Sequence, residues 1–494
     1  MKRRLDLGIA ALLVAAAVAV RMSSLGPSSL WLDDAWVGFV HRADWSDLAD
    51  MGLTSPGFLF VMKAWFGVFG FSELGAQIPA FLAGVVGPVV LFGLLRRRTR
   101  RCVAVAASAL LVLAPAHVTY STHAKQYTLE VVLGLVIIWA ALRVGERPDS
   151  NRRWWSLAAV SVVGPLVSFV VVSISACAVG SALVAARRDR QKLGTASIGA
   201  TVVSGVVPAL LYLTVVRENA SSSLRLYWAG NYIDESSPAS ALRTSAERIH
   251  DLSESLFSLP AELMVIVVAL CFGALAWRRP GVFVMTAGPL ALAFVMAVLD
   301  YAPLGGGRTD IYLIAPVFTG VALGAEVMLD ELRLPQRRSV LNSPMPAALA
   351  VTALVAGSFL ALETADYPSE DVRPLIELME TQRQPGDVVF LYYRVDRAYS
   401  LYADVEVEVL DGTPYEVAFA DELVVTQAWR ERDPVEQLLL SLEPDELTGR
   451  IWLIGTHFRS DWDGTADRLA SGLGREELGR WTSDGAEMVL FAGS

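Results

Sequence analysis

The chain has 494 residues, is 54% hydrophobic and has a mean hydropathy of +0.45. This composition excludes an ordinary soluble protein and indicates a polytopic membrane protein. The net charge of -10 is unevenly distributed, because the part from Glu363 onward holds 28 acidic residues and 11 arginines, a net charge of -17, and the preceding part therefore carries +7. The acidic tail excludes nucleic acid as a partner, since binding to phosphates needs a basic face.

Eleven apolar runs approach the length of about 20 residues that a spanning helix needs. They lie near residues 5–24, 75–95, 102–118, 127–144, 154–169, 171–186, 196–216, 261–277, 281–299, 311–329 and 345–362. Basic clusters favour the cytoplasmic side of a membrane. With eleven spans and a cytoplasmic N-terminus, all the clusters between the runs fall on that side. The protein is therefore expected in the plasma membrane, with the tail outside the cytoplasm.

Two stretches test this count. The run 55–69 is short and holds Lys63 in its middle, so we interpret it as a helix lying in the interface with the lipid bilayer, not as a twelfth span. The stretch 154–186 contains Gly164 and Pro165 and is predicted to form two spans. A single long helix there would leave the tail in the cytoplasm.

The sequence predicts two domains: a transmembrane domain, residues 1–362, and a soluble extracytoplasmic domain, residues 363–494. The tail alternates apolar stretches such as "GDVVFLYY", "GRIWLIG" and "EMVLFAG" with helical patterns such as "DVRPLIELMETQ" and "TADRLASGL". This alternation is typical of a small α/β domain with a mainly parallel sheet. The fold class is thus a polytopic α-helical membrane protein with a C-terminal α/β domain.

Two adjacent carboxylates, Asp33 and Asp34, stand between tryptophans just after the first apolar run, in "SSLWLDDAWVGF". As loop residues beside interfacial tryptophans they would need no function. A carboxylate at the edge of a low-dielectric region can also act as a general base that takes a proton from an attacking hydroxyl.

Four segments together resemble the GT-C glycosyltransferases, in particular the protein O-mannosyltransferases and the bacterial lipid A sugar transferases. They are the acidic pair, "SPGFLFVMKAWFGVFGFSELGAQIPAFLAG", "LAPAHVTYSTHAKQYTLE" and "GGGRTDIYLIAP", and they cover roughly residues 5 to 330. The resemblance implies a membrane enzyme that moves a sugar, with inversion, from a polyprenyl-phosphate-linked sugar donor to an acceptor of the cell envelope.

Site residues follow from the resemblance. Asp33 takes the position of the catalytic base, and Asp34 stands where the family has a glutamate. The leaving phosphate needs cations, and Lys125 and Arg308 are the best candidates, with Lys63 as a third. For Arg308, an ion pair with Asp300 or Asp310 is an equal alternative.

Three further residues are assigned, with Asp34, to the acceptor or sugar site: His123, Gln126 and Tyr127. On a helix beginning near Ser121, His123 and Tyr127 would share a face. No second histidine or acid stands at metal-ligand spacing from His123, so the sequence does not indicate a divalent metal or any other cofactor.

Two other functions compete with glycosyl transfer. A transporter or flippase for lipid-linked sugars would place charged residues through several spans, whereas the ionisable residues here cluster at one predicted face. A non-catalytic scaffold of the cell envelope would leave the polar clusters on the outer face without a role.

Overall fold

The computed structural model describes residues 2–26, 28–49, 51, 54–188, 194–216, 227–257, 260–332, 370–410, 417–427, 434–442, 446–456 and 464–493. Within these ranges the helices are α1 (Lys2–Met22), α2 (Leu32–Phe39), α3 (Pro56–Phe69), α4 (Glu73–Leu95), α5 (Arg101–Leu113), α6 (Pro115–Thr119), α7 (Tyr127–Glu146), α8 (Asn151–Val167), α9 (Val172–Arg188), α10 (Thr195–Leu211), α11 (Pro238–Leu256), α12 (Ala261–Arg278), α13 (Pro280–Val298), α14 (Ile314–Glu331), α15 (Arg373–Gln382), α16 (Asp396–Tyr402), α17 (Pro434–Ser441) and α18 (Thr465–Leu473). The strands are β1 (Val388–Leu391), β2 (Val407–Val409), β3 (Val417–Phe419), β4 (Val424–Thr426), β5 (Ile451–Thr456), β6 (Glu477–Ser483) and β7 (Ala486–Phe491).

The chain forms two compact units, each built from two pieces of sequence. The first unit consists of Met1–Leu25 and Gln77–Ala365, and the second consists of Gly26–Ala76 and Asp366–Ser494. The segment that follows the first span therefore belongs to the same unit as the C-terminal α/β fold. The predicted domains at 1–362 and 363–494 divide the chain differently, by membrane location, and stay a prediction.

The first unit is a bundle of apolar helices. Eight helices of the described residues are long and apolar enough to cross a membrane, or nine if the bent pair Arg101–Leu113 and Pro115–Thr122 is one span. The predicted count of eleven is not confirmed, because α8 has only 17 residues and the run 345–362 lies outside the described residues. The segment Arg308–Glu331 is the most buried of these spans, because 83% of its most apolar 18-residue stretch is buried inside the protein. It therefore forms the centre of this unit.

Residues 154–186 form two helices, as the two-span interpretation predicts. Helix α8 ends at Val167, Ser168 has an extended backbone (φ -150°, ψ 117°), and α9 begins at Val172. Both helices pack against α7. The bent pair has a similar local cause, because Ala114 precedes a proline and adopts an extended conformation (φ -59°, ψ 119°) that ends α5 with a bend of 62°.

The C-terminal part of the second unit contains a five-stranded sheet with the order β4-β1-β5-β7-β6. The prediction of a mainly parallel sheet is only half correct. Strands β4, β1 and β5 are parallel, but β7 and β6 pair antiparallel. The reversal follows from the tight turn at Gly485 (φ +67°), which joins β6 directly to β7 as a hairpin. Every residue of β1 and β5 is buried, as expected for central strands covered on both faces.

Candidate active site

The proposed base lies in the second unit, on a short helix that directly follows the first span. Asp33 and Asp34 occupy the first turn of α2, where negative charge is favourable beside the exposed backbone N–H groups of a helix N-terminus. Their surroundings differ, because Asp34 is buried and only 3% exposed whereas the side chain of Asp33 is 18% exposed. Of the two carboxylates, that of Asp33 is the more accessible.

Asp33 forms an ion pair with an arginine of the C-terminal part of the chain. Nη1 of Arg397, on α16, lies 3.0 Å from Oδ1 of Asp33. The guanidinium of Arg397 also lies over the buried indole of Trp36, with Cζ 5.9 Å from the ring centre. The neighbouring Asp396 is buried as well, and burial raises the pKa of its carboxyl despite the nearby Arg397 and Arg394.

Lys63 has a structural contact in the same unit. It lies on α3, the predicted interfacial helix, and its ammonium group donates hydrogen bonds to the backbone carbonyls of Ala43 and His41. It also lies 5.9 Å from the ring centre of Trp45. These contacts hold α3 against the loop that follows α2, and the proposed role of Lys63 at a phosphate stays a prediction.

The first unit holds the remaining predicted site residues. His123, Lys125 and Gln126 are buried in a short irregular segment that follows the bend after α5, and Tyr127 begins α7. The prediction that His123 and Tyr127 share one helix face is wrong, because a 3-10 turn ends at Thr122 and His123 has an extended backbone before α7 begins.

Tyr120 nevertheless brings these two side chains into one cluster. Its ring centre lies 5.5 Å from that of His123 and 5.0 Å from that of Tyr127. Gln126 lies between them in sequence, and its buried Oε1 accepts no hydrogen bond from the described residues. A buried amide oxygen in that state suits a donor group brought by a ligand.

Arg308 lies in the same unit, over an aromatic ring. Its Cζ is 5.4 Å from the ring centre of Trp228. The contact depends on Gly306, since a Cβ there would lie 2.9 Å from the Trp228 ring. The glycines therefore allow close approach to the protein's own tryptophan.

Buried Asp310 organises this glycine loop. It is 1% exposed and accepts hydrogen bonds from the backbone of Gly305 and Gly306. Gly305 (φ +79°) and Gly307 (φ +67°) adopt left-handed conformations, which favour glycine. The loop is also tied to the Trp228 segment, since the backbone N–H of Leu304 donates to the carbonyl of Asn231 at 3.0 Å.

Metal binding has no evident site within the described ranges, where no three His, Cys, Asp or Glu side chains come together as ligands. The candidate groups are carboxylates in the second unit and, in the first unit, two cations and aromatic rings. Such groups can accept a proton, stabilise a phosphate and stack on a sugar ring.

These features define a multi-pass membrane protein, and comparison with solved structures shows that its fold is similar to those of ArnT and AftD. The structure of ArnT from Cupriavidus metallidurans bound to undecaprenyl phosphate matches with a TM-score of 0.53 and 16% identity, covering 99% of both chains. The arabinofuranosyltransferase AftD from Mycobacteria matches with a TM-score of 0.50 and 13% identity. That match covers 100% of this chain and 42% of AftD.

A sequence family also matches part of the chain. The family model for dolichyl-phosphate-mannose-protein mannosyltransferase matches residues 54–213, which include α3, α4 and the His123–Tyr127 segment. A search of curated proteins finds no significant match. The resemblance to GT-C proteins is thus confirmed by the fold over the whole chain and by sequence within residues 54–213.

Proposed function

We propose that this protein is a membrane glycosyltransferase that moves a sugar from a polyprenyl-phosphate donor to an acceptor of the cell envelope. The observation that carries the proposal is the position of Asp33, a partly exposed carboxylate on the first helix after the first span of a GT-C fold. The bound undecaprenyl phosphate of the ArnT neighbour supports a donor of that class. The transferred sugar is a hexose or a pentose.

The chemistry assigns one role to each group. An acceptor hydroxyl attacks the anomeric carbon from the face opposite the phosphate, and its proton passes to the carboxylate of Asp33. The bond between the anomeric carbon and the phosphate oxygen breaks, and the electron pair leaves with the polyprenyl phosphate. Lys125 and Arg308 stabilise the charge on that phosphate, and the configuration at carbon is inverted.

The acceptor site is assigned to Asp34, His123, Gln126 and Tyr127. Support comes from the cluster that Tyr120 forms with His123 and Tyr127 and from the buried amide oxygen of Gln126. The basic clusters between the spans support a cytoplasmic N-terminus, and with it an active site and a C-terminal domain outside the cytoplasm.

The test is genetic complementation. A deletion strain receives the wild-type protein, Asp33→Asn or the control Asp44→Asn, an exposed acid in the loop after α2. Glycolipids and envelope glycans are then compared by mass spectrometry at equal protein levels. We expect Asp44→Asn to restore the missing glycan and Asp33→Asn to lower its rate of formation roughly 10²- to 10⁴-fold, the usual contribution of a general base.

Two results would contradict the proposal. Restoration of the glycan by Asp33→Asn at the wild-type rate would remove Asp33 as the base. Accumulation of sugar-loaded lipid on the cytoplasmic side of the deletion strain, with sugar transfer intact in opened membranes, would identify a transporter instead.

A further inference from the structure

The segment that carries the proposed base is held by the C-terminal part of the chain, within the second unit. Three residues on the approach to α2 donate hydrogen bonds to residues more than 300 positions away. Ser29 donates to Oδ1 of Asp371, the backbone N–H of Leu30 donates to the hydroxyl of Tyr402 at 2.7 Å, and the backbone N–H of Leu32 donates to Oε2 of Glu370 at 3.2 Å. The start of α2 is thus capped by groups from the C-terminal part.

The part of this segment that follows α2 is hydrogen-bonded to α16, the helix that contains Tyr402 and Arg397. Arg42 donates from Nη1 to the carbonyls of Ser400 and Ala403, at 2.8 Å and 2.7 Å, and from Nη2 to the carbonyl of Val405 at 2.7 Å. These carbonyls lie at the C-terminal end of α16, where cations are favourable. Arg42 therefore joins the loop after α2 to α16 through backbone carbonyls, and no ion pair of Arg42 is seen in the part of the chain that the structure describes.

Helices α2 and α16 also pack closely between these anchors. A Cβ on Gly38 would lie 2.9 Å from Leu401, so the glycine permits the contact. Arg397 lies at this interface with its side chain 4% exposed, between the carboxylate of Asp33 and the indole of Trp36. A planar cation that is itself fixed in a buried position restricts the rotamer of its carboxylate partner.

We propose that Arg397 is a positioning residue for the base, so that the C-terminal α/β fold is an obligatory part of the catalytic unit. The inference rests on the proposed function, in which Asp33 accepts the acceptor proton. Arg397 fixes the Asp33 carboxylate against α16 and favours its ionised form, which is the form that can accept a proton. Misplacement of a catalytic group by about 1 Å can cost on the order of 10² in rate.

The experiment measures sugar transfer in membranes of the deletion strain, which supply the native donor and acceptor. The amount of added lipid extract is varied, so that the maximal rate is obtained separately from the amount of extract that gives half of that rate. We expect Arg397→Gln to lower the maximal rate per folded protein roughly 10²-fold while the half-saturating amount stays constant. Arg397→Lys should recover part of the rate because it keeps the charge. The matched control Arg42→Gln should lower thermal stability but keep the maximal rate.

The double variant Asp33→Asn/Arg397→Gln gives the sharper test. If Arg397 acts through Asp33, the double variant is no slower than Asp33→Asn alone. A wild-type rate in Arg397→Gln, or additive losses in the double variant, would overturn the inference while leaving Asp33 as the base. Should Arg397→Gln fail to accumulate, a wild-type maximal rate in Arg397→Lys at reduced stability overturns it equally. A wild-type rate in Asp33→Asn would instead remove the proposed function itself.

Discussion

The guanidinium of Arg308 rests on the indole of Trp228, and Gly306 is the residue that lets the two side chains meet. The ring face orients this cation, and a guanidinium carries several N–H groups that suit a phosphate. We expect the phosphate of the donor to bind at Arg308 and Trp228 to hold this cation in place.

Loss of the contact between Arg308 and Trp228 is expected to weaken the binding of the donor lipid. Arg308→Gln and Trp228→Ala should each weaken the binding of undecaprenyl phosphate by purified protein about tenfold, equivalent to about 1.4 kcal/mol, because a charge-assisted bond or its support is lost. Trp228→Phe should weaken it less. The matched control is Trp277→Ala, a tryptophan that is 82% exposed. Unchanged binding in both Arg308→Gln and Trp228→Ala would remove the phosphate from this position.

A buried ion pair links the N-terminal end of α5 to α14 and is expected to stabilise the first unit. Arg100 precedes α5 within the predicted cytoplasmic cluster "RRRTRR", and its Nη1 lies 2.9 Å from Oε1 of Glu326 on α14, with both side chains at most 5% exposed. Glu326→Gln should destabilise the protein by up to about 3–5 kcal/mol, since it leaves the buried guanidinium with only the exposed Asp330, 3.1 Å from Nη2, as a counter-charge. The exposed partner Asp330 provides the control, and Asp330→Asn should cost at most about 1 kcal/mol.

Thermal unfolding of the purified protein in detergent checks this prediction. The apparent Tm of Glu326→Gln should fall by several degrees, whereas that of Asp330→Asn should stay close to the wild type. Equal Tm values for the wild type and Glu326→Gln would mean that the pair contributes nothing to stability.

The sheet of the second unit contains a carboxylate whose ionisation stabilises it. Burial opposes the charge of Asp387, but the hydrogen bonds from Arg450, from the backbone N–H of Gln384 and from Nε1 of Trp452 outweigh this effect and lower its pKa. With a lowered pKa, the stabilisation is complete above the unfolded value near 4 and disappears as the pH falls through the folded value.

Asp387→Asn should therefore lower the apparent Tm of the full-length protein at pH 7, and the difference from the wild type should shrink below about pH 4. Glu422→Gln is a suitable control, because Glu422 is an exposed acid of the same fold for which no ion pair is seen within the described residues. A difference in Tm that stays constant from pH 7 to pH 3 would show that the substitution acts through packing and not through charge.

The spans could be predicted from sequence because each is a local property of about 20 residues. The apolar runs 127–144, 261–277 and 281–299 each coincide with one helix, whereas the run 102–118, predicted as a single span, is bent after Leu113. Strands β1, β5 and β7 were predicted from their apolar runs. Their directions were not, because pairing depends on residues distant in sequence.

The partners of the candidate site residues could not be predicted for the same reason. Asp33 and Arg397 are separated by 364 positions, and no pattern around either residue refers to the other. Lys63 was a candidate cation for the phosphate, and in the structure it donates hydrogen bonds to the backbone carbonyls of His41 and Ala43. Backbone acceptors of this kind cannot be recognised from the sequence. Trp228 and Gly306 are likewise distant in sequence, and only the fold brings them into contact.

The discontinuous second unit has a consequence for biosynthesis. The loop between Gly26 and Ala76 is translated within the first 76 residues, but the groups that hold it, from Glu370 to Val405, follow only after the membrane helices of the first unit. Nearly three hundred more residues must therefore be synthesised before this loop can contact its native partners. At about 5–20 residues per second this synthesis takes many seconds. A chain that stops before Glu370 cannot form these anchors, so truncated products would lack the arrangement around Asp33.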